Sequence, residues 1–162
     1  MRYYLLIFVF YYSCTPVSEQ ENNETVNLVL NQWHQAASDA DFDTYFSLMS
    51  DDAHFIGTDA TENWNKSDFM KFSKPFFDKG KAWDFKVLDR NVYFDQSQNT
   101  AWFDERLNTW MGICRGSGVL VKNDNNWKIK HYVLSVTIPN ETIDTVIKIN
   151  KNRNNSILTA IH

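Results

Sequence analysis

From Thr25 onward apolar residues recur with helical spacing. Val26, Val29, Leu30, Trp33 and Ala37 stand at i, i+3, i+4, i+7 and i+11, the stripe of an amphipathic helix. Phe42, Tyr45, Phe46 and Met49 repeat the spacing behind Asp39 and Asp41, either of which suits an N-cap, so two helices should pack as a hairpin. Ser50-Asp51-Asp52 interrupts the run and Ala53 to Gly57 follows as a short strand. Asn65 and Asp68 then fit the cap and third position of a capping box, opening a helix with Phe69, Phe72, Phe76 and Phe77 that Pro75 can kink.

After Lys79-Gly80-Lys81 the pattern changes to that of strands. Trp83 to Leu88 and Asn91 to Phe94 form one long or bent strand. Thr100 to Val121 supplies two more, with Met111-Gly112 at the turn and Gly116 and Gly118 as places for a bulge or close backbone approach. Asn123 to Asn126 is a hairpin signal. In the last strand Trp127, Ile129, His131, Val133 and Ser135 share one face, while Tyr132, Leu134, Val136 and Ile138 lie on the other. Both faces are apolar towards the C-terminal end, which predicts cover from the helices on one side and a second copy of the chain on the other. A homodimer through the outer sheet face is the expected assembly. Helices followed by long strands make an α+β domain.

The N-terminus has a different pattern. Arg2, an apolar run from Tyr3 to Tyr12 and small Ser13 before Cys14 read as an export signal. The run is far short of the roughly 20 residues of a spanning helix. Ser13-Cys14 resembles the lipobox of bacterial lipoproteins, which implies removal of residues 1–13 and lipidation of Cys14; an ordinary cleaved signal is the alternative. The expected organisation is a signal over residues 1–13, a tether over 14–24, one domain over 25–149 and a disordered tail over 150–162. The location that follows is the cell envelope, with membrane contact through the lipid alone.

Composition narrows the partners. Net charge is -4, with no concentrated basic stripe, so nucleic acid is not expected. The only cysteines, Cys14 and Cys114, leave the domain without an internal disulfide once Cys14 is lipidated. The four histidines form no His-x-His or His-Glu-x-x-His pair, there is no Cys-x-x-Cys, and no glycine-rich phosphate loop is present; neither metal nor cofactor is expected.

Six segments and Trp64 carry a resemblance to a known family: Asp41-Phe42-Asp43 with Ser50-Asp51-Asp52-Ala53; Phe55-Ile56-Gly57-Thr58-Asp59 ahead of Trp64; Thr100-Ala101-Trp102-Phe103-Asp104-Glu105; and Arg115-Gly116-Ser117-Gly118 before Trp127-Lys128-Ile129. From Thr25 to about Ile138 the chain resembles secreted SnoaL-like proteins of the nuclear transport factor 2 superfold. The resemblance implies a strongly curved, cone-shaped antiparallel sheet closed by three N-terminal helices, with a pocket between its concave face and the helices. It does not imply one activity, because the superfold hosts isomerases, cyclases, dehydratases, adaptors and oligomerisation modules. The ketosteroid isomerases of the superfold use a helix-one tyrosine and an aspartate base; those positions fall here on Trp33 and Gly57, and that mechanism does not carry over.

Polar residues facing such a pocket are the candidates. Histidine is the side-chain type suited to proton transfer near neutral pH, and His131 reads either as a general acid or base or as a hydrogen-bonded core histidine. Alternation turns Glu105 inward, or Asp104 in its place if a bulge reverses parity. Asp59 joins the set only if its loop folds back into the cone. Arg115 reads as a ligand-binding guanidinium or as the partner of Glu105 or Asp104. Ser117 and Ser135 are further polar contacts, and Trp33, Phe55 and Trp64 either wall an apolar ligand or belong to the core. The function expected is binding of a small, partly apolar molecule. The alternatives are an isomerase, dehydratase or hydrolase using His131 with Glu105 or Asp59, and an interaction module working through Tyr132, Leu134 and Val136.

Overall fold

The computed structural model of the chain describes residues 19–161 apart from Asn125. The signal at 1–13 and the lipidation site at Cys14 lie outside the described residues. Helix α1 spans Glu19–Ser38 and α2 Phe42–Ser47; strands β1 (Met49–Ile56) and β2 (Asn63–Asn65) precede α3 (Lys66–Phe77). Strands β3 (Lys86–Phe94), β4 (Thr100–Thr109), β5 (Gly112–Asn123) and β6 (Asn126–Val136) follow, and a single 3-10 turn at Asn140–Thr142 leads into α4 (Ile143–Ile161).

The strands form one curved, open-edged sheet in the order β2-β1-β6-β5-β4-β3. The pairing is antiparallel except between β1 and β6, which run parallel. Helices α1 to α3 close the concave face, and the core lies between them and the sheet. Val26, Leu30, Trp33 and Ala37 from α1 meet Phe103, Leu107, Leu120, Ile129 and Tyr132 from the strands, all at most 3% exposed. The hydrophobic effect stabilises this layer at ~25 cal/mol per Å2 of apolar surface removed from water. The caps form where the sequence places them. Asp41 accepts from the Thr44 amide at 3.0 Å, and Asn65 and Asp68 bond reciprocally, each at 3.0 Å. Helix α3 continues through Pro75 to Phe77.

Three expectations change. First, α1 begins at Glu19, inside the stretch read as tether. Its first turns are held by polar contacts that leave no apolar periodicity: buried Asn22 accepts from Lys122 Nζ at 3.0 Å and donates to Gln98 at 3.2 Å. Second, residues 150–161 are helical rather than a disordered tail, since α4 continues to Ile161. Asparagine is only a moderate helix breaker, and Arg153 in mid-helix faces Asp59 at 3.7 Å.

Third, the faces of β6 exchange halfway along. Val119 pairs with His131 but Leu120 pairs with Ile129, leaving Lys130 as the extra residue of a β-bulge. Trp127 and Ile129 point inward before the bulge, and Tyr132 and Leu134 point inward after it. Gly118 accommodates the distortion, because a Cβ there would run into the His131 carbonyl oxygen. His131, Val133 and Ser135 therefore lie on the outer face, and Tyr132 and Leu134 cannot form the outward surface expected of them. Among the described residues no helix is long and apolar enough to cross a membrane.

Candidate functional site

The structure separates the residues expected to handle protons. Glu105 points inward, directly across from Gly116 on β5, and is 1% exposed. His131 stands on the opposite face of the sheet, in register with His54 of β1. Asp59 sits in the exposed loop before β2, where its carboxylate accepts from the Thr61 amide at 2.9 Å and its hydroxyl at 2.6 Å. Those contacts, with a smaller contribution from Arg153, hold its pKa below the ordinary carboxylate value. Arg115 and Ser135 pair with each other in register on the outer face, as do Ser117 and Val133. These three do not reach the pocket. Arg115 is not the partner of Glu105, and Asp104, also outward, accepts from Asn91 at 3.3 Å.

A buried network takes shape around Glu105 instead. Arg90 lies directly opposite it on β3; its Nε donates to Glu105 Oε2 at 2.9 Å, and Nη2 lies 2.7 Å from the same oxygen. His34 Nε2 reaches Oε1 at 2.8 Å and the Tyr132 hydroxyl donates to it at 3.1 Å. Arg90 Nη1 extends the network to Asn27 Oδ1 at 3.1 Å and Asn31 Oδ1 at 2.9 Å on α1. Gly116 leaves the space for it: a Cβ there would meet the Tyr132 hydroxyl and stand 2.8 Å from Glu105 Oε1.

The electrostatics follow from the contacts. Burial alone drives the Glu105 carboxyl towards protonation, but hydrogen bonding and charge from His34, with the Arg90 guanidinium, outweigh it and hold its pKa below the ordinary glutamate value. An ionised Glu105 accepts only, so Nε2 of His34 carries the proton that fills the bond. Burial, then the neighbouring Glu105 charge, pushes the Tyr132 phenol well above its ordinary value. A carboxylate fixing an imidazole is an arrangement that orients a base. Here both oxygens of that carboxylate are occupied and its side chain is wholly buried.

The accessible concavity lies at the open end of the cone. A cavity of about 220 Å3 is lined by Phe55, Trp64, Phe69, Phe72, Phe76, Trp83, Phe85, Met111 and Leu134, with Thr58 and Glu62 among its polar members. Its aromatic wall is built by stacking: Phe55 lies on Phe69 at 4.0 Å and Trp64 on Phe72 at 4.5 Å between ring centroids. Phe55 and Trp64 thus line the cavity as expected of them. Trp33 lies deeper, stacked on Tyr45 at 4.8 Å and edge-on to Tyr132. Its indole Nε1 is buried without a hydrogen-bond partner among the described residues.

His34, Arg90 and Tyr132 escaped sequence reasoning. Asn27, Asn31 and His34 stand at i, i+4 and i+7 beside the apolar stripe of α1, and that polar stripe was a usable signal. Arg90 shares the parity of Val92 and Phe94. Tyr132 was hidden by the bulge.

The fold has many counterparts. A domain of unknown function with a cystatin-like fold from Nostoc punctiforme superposes with a TM-score of 0.67 at 17% identity, covering 88% of this chain and 97% of that one. A candidate dehydratase of the nuclear transport factor 2-like family from Streptomyces avermitilis gives 0.65 at 14% identity, covering 75% and 100%. A candidate aromatic ring hydroxylase from Novosphingobium aromaticivorans gives 0.63 at 13% identity, covering 76% and 94%. At these identities the likeness is one of fold. Comparison with curated proteins gives no match. The model of the SnoaL-like domain matches residues 26–139, the span that carries α1 from Val26 onward, α2, α3, all six strands and the aromatic cavity, and the chain belongs to that family.

Proposed function

We propose that this SnoaL-like domain binds a small, partly apolar molecule in the aromatic mouth of the cone. The observation that supports the reading is the cavity itself: its wall is built from Phe, Trp, Met and Leu, and Glu62 and Thr58 supply polar contacts at the rim. Its volume, about 220 Å3, falls below the roughly 300–1,000 Å3 of drug-sized sites, so the ligand is a one- or two-ring molecule. An acid–base enzyme built on His131, Glu105 and Asp59 loses support from their separation. The test is titration with 2-naphthol followed by intrinsic tryptophan fluorescence. Saturable binding is expected, weakened at least about tenfold in Met111→Trp, which fills the mouth; no saturation, or equal binding by the variant, rejects the reading.

The setting we propose is the cell envelope, with the exported chain held by lipid at Cys14 and the domain paired with a second copy through its outer sheet face. The run from Tyr3 to Tyr12 ahead of Ser13-Cys14 supports the first part. Cells fed labelled palmitate should label the protein, and Cys14→Ser should abolish the label; unlabelled wild-type protein rejects the anchor.

A further inference from the structure

Two clefts beside the aromatic mouth, the larger of which shares Ala82, Trp83 and Trp110 with it, adjoin one another at Asp84 and Lys86. One, of about 240 Å3, runs between α1 and the segment entering β3 and is lined by His34, Gln35 and Ser38 with residues 84–87. The other, of about 430 Å3, continues from Asp84 and Lys86 to Asn108, Thr109 and Trp110 at the β4–β5 turn. We propose that together they form a carbohydrate-binding groove, with Trp110 as the platform for a sugar ring.

Trp110 is 84% exposed, more than any other large hydrophobic side chain of the described residues. The backbone turn that carries it is held by hydrogen bonds. The Thr109 hydroxyl accepts from the Met111 amide and donates to the Gly112 carbonyl, each at 3.0 Å, and Gly112 turns the chain with φ +90°. An indole carried into water by a hydrogen-bonded turn is an accessible contact surface, flat and apolar enough to meet the C–H face of a pyranose.

The polar lining matches hydroxyl chemistry. Asp84, Lys86 and Asn108 make no side-chain hydrogen bond or ion pair among the described residues, so their acceptors and donors are free for a ligand. The charges of Asp84 and Lys86 cancel, and the single further cation, Lys81, stands at the Trp110 end. A phosphate or polyanion would call for a larger positive excess. At the inner end His34, 7% exposed, has its Nε2 committed to Glu105 while Nδ1 makes no hydrogen bond among the described residues. With Nε2 protonated, Nδ1 accepts from a sugar hydroxyl when the ring is neutral and donates to one when it is charged. A ligand that alternates donors and acceptors around one apolar face satisfies all of these groups.

The experiment is saturation-transfer NMR of the full chain with neutral tetrasaccharides of glucose, xylose and mannose. At least one should show transfer concentrated on the C–H protons of one ring. Trp110→Ala should weaken it roughly tenfold or more. Trp110 also borders the aromatic mouth, so Asn108→Ala, which touches only the groove, is the second variant and should weaken binding several-fold. Both side chains are exposed, so both variants fold. Absence of transfer from every sugar, or transfer unchanged in both variants, overturns the proposal.

Discussion

Glu105 is the residue on which the inner chemistry turns. Its carboxylate is the only counter-charge within the network for Arg90, whose side chain is 4% exposed. Glu105→Gln would leave that guanidinium buried and unpaired, a change that costs ~3–5 kcal/mol. Tyr132→Phe removes one hydrogen bond and should cost about 1 kcal/mol. Urea unfolding of the two variants separates these values, and equal losses would contradict a central ion pair. The pH dependence follows from the direction of the shift. The folded pKa of Glu105 lies below the unfolded one, so its contribution is complete above the ordinary glutamate value of about 4.3 and disappears as pH falls through the lower, folded value. Acid titration of stability should therefore be steeper in the wild type than in Glu105→Gln.

At the scale of elements, the sequence was most legible where one period runs unbroken and least where it changes. The α1 stripe from Val26 to Ala37, the Asn65–Asp68 capping box and the strands flanking Met111-Gly112 all form as their patterns predict. Strand β4 has no bulge against β5, and alternation therefore placed Glu105 inward correctly. Strand β6 carries its bulge at Lys130, and the same alternation placed His131 and Ser135 on the wrong face. A bulge is a backbone event with no obligatory side-chain signature, although Gly118, forced by the His131 carbonyl, marks its neighbourhood on the adjacent strand. The ends of the chain were misjudged for another reason. Both α1 before Val26 and α4 beyond Asn150 are rich in Asn, Glu or Lys, and composition alone does not distinguish a polar helix from a solvated tail.

Across the whole molecule, the inner face of the sheet is spent on the core and the outer face is not. Tyr93, Trp102, Val119, His131 and His54 follow one another in register across five strands. Tyr93 and Trp102 are each 46% exposed and stack on one another with ring centroids 6.0 Å apart. Val119 and Val133 are half-buried beside them, and the Arg106–Asp89 ion pair borders the row. An apolar centre rimmed by charge is the anatomy of a protein interface, and the bulge that turned Tyr132 inward also brought His131 and Val133 into it. A second copy is the partner we propose for the row, because a two-fold axis through Val119 would set the Tyr93–Trp102 end of each row over the His131–His54 end of the other, as a self-complementary interface requires. The dimer should appear in native mass spectrometry at micromolar concentration. Val119→Lys places a charge at the centre of the row while leaving the core side of β5 untouched, so it should yield a folded monomer with an unchanged circular dichroism spectrum. A wild-type monomer, or a Val119→Lys variant that remains dimeric, would remove the outer face as the assembly surface and leave the aromatic row to another partner.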